Sequence, residues 1–244
     1  MSAEAALNKV RIVLSHTQHP GNIGAAARAM KTMGLSRLFL VAPERFPDRE
    51  ARVFASGALD LLDSATVCVD LAQALQGTVL AVAATTRRRD LSHETLDCRV
   101  ACDRLLAETS HGDVAIVFGP ERSGLTIAEV SQCRLFASIA ASEAYSSLNL
   151  AQAVQVFAYE LRMGALSGQL PEMWGPKPAT HEETENFLLQ LEASLYSTGF
   201  VDPEQPRRLM QRLRRMFART RLEPEEVNIL RGLLKALQGS PDRE

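Results

Sequence analysis

Residues 114–126 read VAIVFGPERSGLT. Five consecutive apolar residues, 114–118, run without a polar alternate into Gly119 and Pro120. A continuous apolar run of that length, closed by a turn signal, is the pattern of a strand covered on both faces. Similar β-branched or aliphatic runs stand at Val10–Leu14, Arg37–Ala42, Thr66–Val69, Val79–Ala84 and Leu135–Ala140. Between them lie segments with helical spacing: the Ala-rich Ile23–Met33, the short Leu71–Gln76, and Val100–Glu108. Ser147–Leu166 is the longest, with Leu148, Leu150, Ala151, Val154, Phe157, Ala158 and Leu161 on one broad face. This alternation predicts an α/β fold with a mainly parallel sheet.

Beyond it the composition changes. Residues 168–180 read GQLPEMWGPKPAT, with three prolines and two glycines, which predicts a linker or an extended crossover. The remainder reads as helical: 181–197, then 202–219 opened by Asp202 as N-cap and Pro203 at N1, then 224–238. The expected division is a catalytic-type domain over 1–168, a linker over 169–180, and a small helical extension over 181–244.

A chain of 244 residues with 46% hydrophobic and 23% charged residues can build a full core, which argues against long disorder. The longest uncharged apolar run, Val79–Ala84, is far short of the roughly 20 residues of a membrane span, and MSAEAALNK carries no secretory pattern. The expectation is a soluble cytoplasmic protein with no membrane partner. Cys68, Cys98, Cys102 and Cys133 form no C-x-x-C, so buried free thiols are expected, with Cys98 and Cys102 one turn apart on a helix face. The five histidines suggest no metal site, and none is predicted. Net charge is −2, so the molecule as a whole is no basic glove for nucleic acid, and DNA is not an expected partner. Yet 23 of the 27 basic residues are arginine, which grips phosphates bidentately; high-GC coding bias enriches arginine too, so position in the chain must decide.

Three segments carry candidate chemistry. Residues 19–34, HPGNIGAAARAMKTMG, follow a strand and open a helix. Gly21 and Gly24 permit a tight turn and close backbone approach, and helix N-termini favour anions. The segment matches neither G-x-G-x-x-G nor the P-loop. Arg28, one turn after Gly24, either leans toward the strand ends or is an ordinary exposed helix arginine. Residues 114–126 place Glu121 and Gly124 just past a strand's C-terminal end, where α/β sheets bind ligands, although an ordinary strand-to-helix turn reads the same way. Residues 143–161, EAYSSLNLAQAVQVFAYEL, have Ser146 or Ser147 as the expected cap of the long helix. The two serines, Asn149 and free helix N–H groups are equally suited to a polar ligand.

In this order and at these spacings, the three segments resemble the motifs of the SPOUT methyltransferases, in their 2′-O-methylating SpoU/TrmH-like branch. Pro20, Asn22, Gly24 and Arg28 carry the first, G-P-E-R-x-G-L the second, S-S-L-N-L-A the third. The tail phrases LRRMF and NILRGLL extend the resemblance over nearly the whole chain, to members that methylate the ribose at position 32 of the tRNA anticodon loop. The resemblance implies a sheet whose C-terminal part is tied in a trefoil knot, a homodimer, and S-adenosylmethionine held in the knot. Carried over, the cofactor loops are Ala84, Thr85 and Thr86, then Gly119, Ile139, and Ser146, Ser147 and Leu148. Asn22, Gly24, Glu121, Gly124 and Asn149 support the motifs. The first loop departs from the family's frequent Gly-Thr-Ser, having Ala83, Ala84 and Thr85. A backbone contact survives that change; a hydroxyl contact at position 84 does not.

The implied chemistry is methyl transfer from a sulfonium to a ribose 2′-hydroxyl, which must be aligned and relieved of its proton. The family places Arg28 there. An arginine pKa above about 12 makes it a poor literal base. Stabilising the forming alkoxide or clamping the adjacent phosphate suits it better, with Ser147 orienting or relaying the proton.

The tRNA surface has its own argument. Arg87, Arg88 and Arg89 follow the strand presenting the first cofactor loop and suit phosphates, unless they are simply a solvated run. In the tail, Arg207, Arg208, Arg212, Arg214, Arg215, Arg219 and Arg221 flank an apolar stripe of Leu209, Met210, Leu213, Met216 and Phe217. Such a helix serves RNA, a membrane surface or a partner protein; the absence of Trp anchors and the helical tail favour RNA. The rival readings are a related 2′-O-methyltransferase for rRNA or another tRNA position, and a non-catalytic RNA-binding relative. A nucleotide-dependent oxidoreductase is more distant, because its glycine fingerprint is missing.

Overall fold

The computed structural model describes residues 2–85, 95–142, 144–166, 177–202 and 208–238. In chain order the elements are α1 (Ala3–Leu7), β1 (Val10–Ser15), α2 (Pro20–Thr32), β2 (Arg37–Val41), α3 (Arg49–Ala55), α4 (Leu59–Asp63), β3 (Thr66–Cys68), α5 (Leu71–Leu75) and β4 (Thr78–Ala84). There follow β5 (Thr95–Asp97), α6 (Cys98–Glu108), β6 (Asp113–Phe118), α7 (Ile127–Val130), β7 (Leu135–Ser138), α8 (Leu150–Leu166), α9 (His181–Ser197), α10 (Leu209–Arg219) and α11 (Pro224–Gln238).

The strands form one seven-stranded sheet in the order β3-β2-β1-β6-β4-β7-β5, and every pairing is parallel. The α/β expectation therefore holds. Central β1 is buried at all six positions, which is why it shows no polar alternation. Its side chains still alternate between faces: Ile12 and Leu14 join a large core with α2, α6 and α8, while Val13 joins a smaller one with α5 and Cys133. Helix α8 packs on α1, α2 and α6. At the N-terminal ends of the strands, Asp113 binds Arg11 at 2.8 Å and Arg37 at 2.6 Å. Burial raises the Asp113 carboxyl, but the two guanidiniums outweigh it and hold it below its ordinary value.

Several elements differ from the sequence reading. Strand β5 is new; its three residues are too few for a pattern, and pairing with β7 defines it. Helices α3, α4 and α7, of seven, five and four residues, are also too short for the sequence to have marked them. The helix expected from Asp202 is helical from Leu209, and 203–207 lie outside the described residues. Helices α9 and α11 have the expected bounds, α9 because Thr180 and Glu183 form a reciprocal capping box. The tail has its own core of Ala179, Phe187, Leu188, Leu222 and Val227, with Phe187 and Phe217 edge-to-face at 4.9 Å. All four cysteines are free and buried, Cys98 and Cys102 on α6.

Candidate active site

In a parallel sheet the loops after the strand C-termini converge at one edge. Here the segments following β4, β6 and β7 and the start of α8 enclose a cavity of about 180 Å³. Of the residues carried over as cofactor contacts, Ala84, Thr85, Gly119, Ile139, Ser147 and Leu148 line it. Ser146 is exposed and does not, and Thr86 lies outside the described residues. Phe118 and Phe157 form an edge-to-face pair at 5.4 Å in its apolar wall. Gly119 is obligatory: a Cβ there would stand 2.2 Å from the Leu125 nitrogen and 2.5 Å from the Gly124 carbonyl carbon. Gly124 adopts φ +65°, a backbone region open to glycine.

The three motifs meet in one hydrogen-bonded joint. The Asn22 Nδ2 of α2 donates to Glu121 Oε1 at 2.7 Å. The backbone N–H groups of Gln18 and His19 also donate to Glu121, at 3.1 and 3.4 Å. Asn149, at the head of α8, donates from Nδ2 to Asn22 Oδ1 at 2.9 Å. Burial pushes the Glu121 carboxyl up, but the Asn22 amide and the backbone donors outweigh it and hold it below its ordinary value. Glu121 thus lines the cavity with an ionised carboxylate whose oxygens are held by these donors. On α7, Glu129 binds Ser15 and accepts from the Thr126 N–H and hydroxyl, the latter two at 2.7 Å; these bonds overcome its burial and lower it too.

Two sequence readings are corrected here. Neither Ser146 nor Ser147 caps α8. The Ala151 N–H donates to Asn149 Oδ1 at 2.9 Å, and the Asn149 N–H donates back to Gln152 Oε1 at 3.2 Å, so Asn149 is the cap. That leaves the exposed Ser147 at the cavity rim free of the capping role. Gly24 does not bring backbone to a ligand. It lies inside α2, where a Cβ would stand 2.0 Å from the Ala51 carbonyl oxygen, so it admits α3.

Arg28 is exposed on α2 and does not line the cavity. It follows Asn22 by six residues, about 9 Å along the axis. Among the described residues its guanidinium has no ion pair. Residues the sequence reading missed are Arg122 and Pro120, which line the cavity within the quoted G-P-E-R motif, and Phe157, whose place on α8 looks like ordinary core.

Of the arginines assigned to RNA, Arg87, Arg88, Arg89 and Arg207 lie outside the described residues. Arg208, Arg212 and Arg219 are exposed. Arg214 is half-buried and paired with Glu185 of α9, so its charge is already partnered. Arg215 is half-buried with an unpartnered Nε, and Arg221 binds Glu108 at 3.0 Å. Among the described residues no cluster of His, Cys, Asp and Glu is arranged to hold a metal, and no helix is long and apolar enough to cross a membrane.

A family model described as the SpoU rRNA Methylase family matches residues 9–159, and the chain belongs to that family. A second, described as the C-terminal domain of the tRNA methyltransferase TrmJ, matches residues 182–244. Among curated relatives, the tRNA (cytidine/uridine-2′-O-)-methyltransferase TrmJ of Cronobacter sakazakii is 45% identical over 96% of this chain and 98% of its own. The tRNA (cytidine/uridine/adenosine-2′-O-)-methyltransferase TrmJ of Pseudomonas aeruginosa is 43% identical over 95% of each. The crystal structure of TrmJ from Z. mobilis superposes with a TM-score of 0.84 at 34% identity, covering 93% of this chain and 98% of that one.

Proposed function

We propose that this protein transfers a methyl group from S-adenosylmethionine to the ribose 2′-hydroxyl at position 32 of the tRNA anticodon loop. The observation that carries the reading is the joint of Asn22, Glu121 and Asn149, which binds all three motif segments together at one cavity. Similarity to TrmJ enzymes along nearly the full chain supports the tRNA substrate. The relatives' names differ in the bases they accept, so base choice belongs to features other than the shared motifs.

The cavity suits the cofactor. Its aromatic and aliphatic wall of Phe118, Ile139, Leu148 and Phe157 fits an adenine, and the ionised Glu121 complements a sulfonium. When bound, S-adenosylmethionine supplies an electrophilic methyl group. The chain's own residues do the rest. Glu121, through Asn22 and Asn149, fixes the approach of α2 to the head of α8. Ser147 presents its exposed hydroxyl at the rim, where it aligns the ribose and relays the proton released from the 2′-hydroxyl to solvent. Arg28, permanently charged, stabilises the forming alkoxide or clamps the neighbouring phosphate.

The same reading includes a division into a methyltransferase domain (1–168), a linker (169–180) and an RNA-binding extension (181–244), in a cytoplasmic homodimer. The half-exposed Tyr159 and Leu166 on α8 support a second copy as partner. The sheet order β4-β7-β5, in which a later strand lies between two earlier ones, supports the knotted path. Calorimetry tests the cofactor assignment: micromolar binding of S-adenosylmethionine is expected, and no binding at millimolar cofactor refutes it.

A further inference from the structure

Near the opposite end of the sheet, a second cavity of about 320 Å³ lies between α6, the start of β7 and the link from α10 to α11. Arg104, Arg134, Arg219 and Arg221 line it, with one carboxylate, Glu108. Arg221 pairs with that carboxylate at 3.0 Å. Among the described residues no carboxylate lies within ion-pair distance of the other three guanidiniums. Four positive charges against one negative leave three uncompensated.

Arg134 decides the reading. Its side chain is half-buried and lines both this cavity and a smaller neighbour, and its bond to the Val79 carbonyl is long, at 3.3 Å. Taking a charge even partly out of water is costly, so a half-buried guanidinium with one long bond favours an anionic partner. Burial pushes this guanidinium below its ordinary value; Glu108 pulls it back up and Arg221 pushes it down further. The walls around it, Leu80 and Leu135 among them, are apolar and strengthen any charge contact made inside.

We propose that this cavity is a phosphate-binding site, taking phosphoryl oxygens from the RNA backbone or from a free phosphate. Planar guanidinium forks on two sides match phosphate geometry. The site is separate from the methyl-transfer cavity. Leu80 and Ala84 line one each and stand four residues apart on β4, about 13 Å. An RNA phosphate held here is therefore not the one beside the target ribose. The RNA source rests on the function proposed above; the free-phosphate source does not.

The test uses the full chain. Thermal unfolding is followed with inorganic phosphate against sodium chloride of equal ionic strength, and tRNA binding is measured across a salt series. Phosphate is expected to raise the wild-type midpoint by several degrees. Arg104→Gln and Arg134→Met should each lose more than half of that rise, while Arg49→Gln, exposed on α3, keeps it. Should Arg134→Met not fold, Arg104→Gln, exposed on α6, carries the test. With RNA as the source, each variant shrinks the slope of log K against log salt by about 1. With free phosphate as the source, the slope is unchanged while the phosphate rise is lost. If both variants keep the full wild-type response to phosphate and an unchanged tRNA slope, the site is refuted. Methyl transfer by the same wild-type preparation separates the two claims: its absence alongside a retained phosphate response overturns the tRNA reading and leaves the site standing.

Discussion

Replacing Glu121 with alanine removes the acceptor of three donors at once. The Asn22 amide bond, at 2.7 Å, is the strongest; the backbone bonds from Gln18 and His19, at 3.1 and 3.4 Å, are longer and partly reached by water. A hydrogen bond to a charged group contributes about 1.5–3 kcal/mol. Counting the first in full and the other two at a fraction gives a loss of about 2–4 kcal/mol. For a chain of this size, each kcal/mol moves the melting midpoint by about 2–4 °C, so a fall of about 4–16 °C is expected. Glu121→Gln keeps one acceptor oxygen and should fall in between.

The sign with pH follows from the direction of the shift. Glu121 titrates below its ordinary 4.5 in the folded chain, so its contribution is complete above 4.5 and is lost as pH falls through the lowered value. Wild type and Glu121→Ala should therefore differ most near neutrality and converge in acid. Because Asn149 hangs on Asn22, cofactor affinity should also drop at least tenfold. A midpoint within about 1 °C of wild type, with an unchanged pH profile, would refute the reasoning.

Gly119→Ala forces a Cβ to within 2.2 Å of the Leu125 nitrogen, so the loop must move. Urea unfolding should show a loss of about 1–3 kcal/mol, and calorimetry a cofactor affinity at least tenfold weaker. The thiols of Cys102 and Cys133 are buried and pushed well above their ordinary value by that burial. A chromogenic disulfide reagent at pH 8 should leave both unmodified in the native protein and react with all four cysteines in denaturant. Arg28→Ala should leave the melting midpoint unchanged, since exposed side chains away from special features rarely matter by more than about 0.5 kcal/mol.

The sheet was legible where strands are buried on both faces. β4 and β6 read directly from their unbroken apolar runs and β1 from an apolar run broken only by Arg11, and α9 and α11 have the bounds that their sequences predicted. β5, α3, α4 and α7 are too short to display a period, so only tertiary packing defines them. At the site, the residue types were legible but not their pairing. Asn22 finds Glu121 across 99 residues, and Asn149 finds Asn22 across 127. No local rule supplies contacts at those separations. The cap of α8 was misplaced because serine and asparagine both cap well and the apolar pattern continues through Leu148. Charge counting in the tail treated Arg214 as available, whereas Glu185, a helix away, already holds it.

The most direct test is methyl transfer from labelled S-adenosylmethionine into unmodified tRNA, with the modified nucleotide mapped, for wild type and Arg28→Ala side by side. The account predicts a 2′-O-methyl group at position 32 with wild type, and its loss in a variant that still folds and still binds cofactor. Transfer at near-normal rate by Arg28→Ala would contradict the role given to that residue. A cofactor-binding wild type that methylates neither tRNA nor rRNA would contradict the assignment itself.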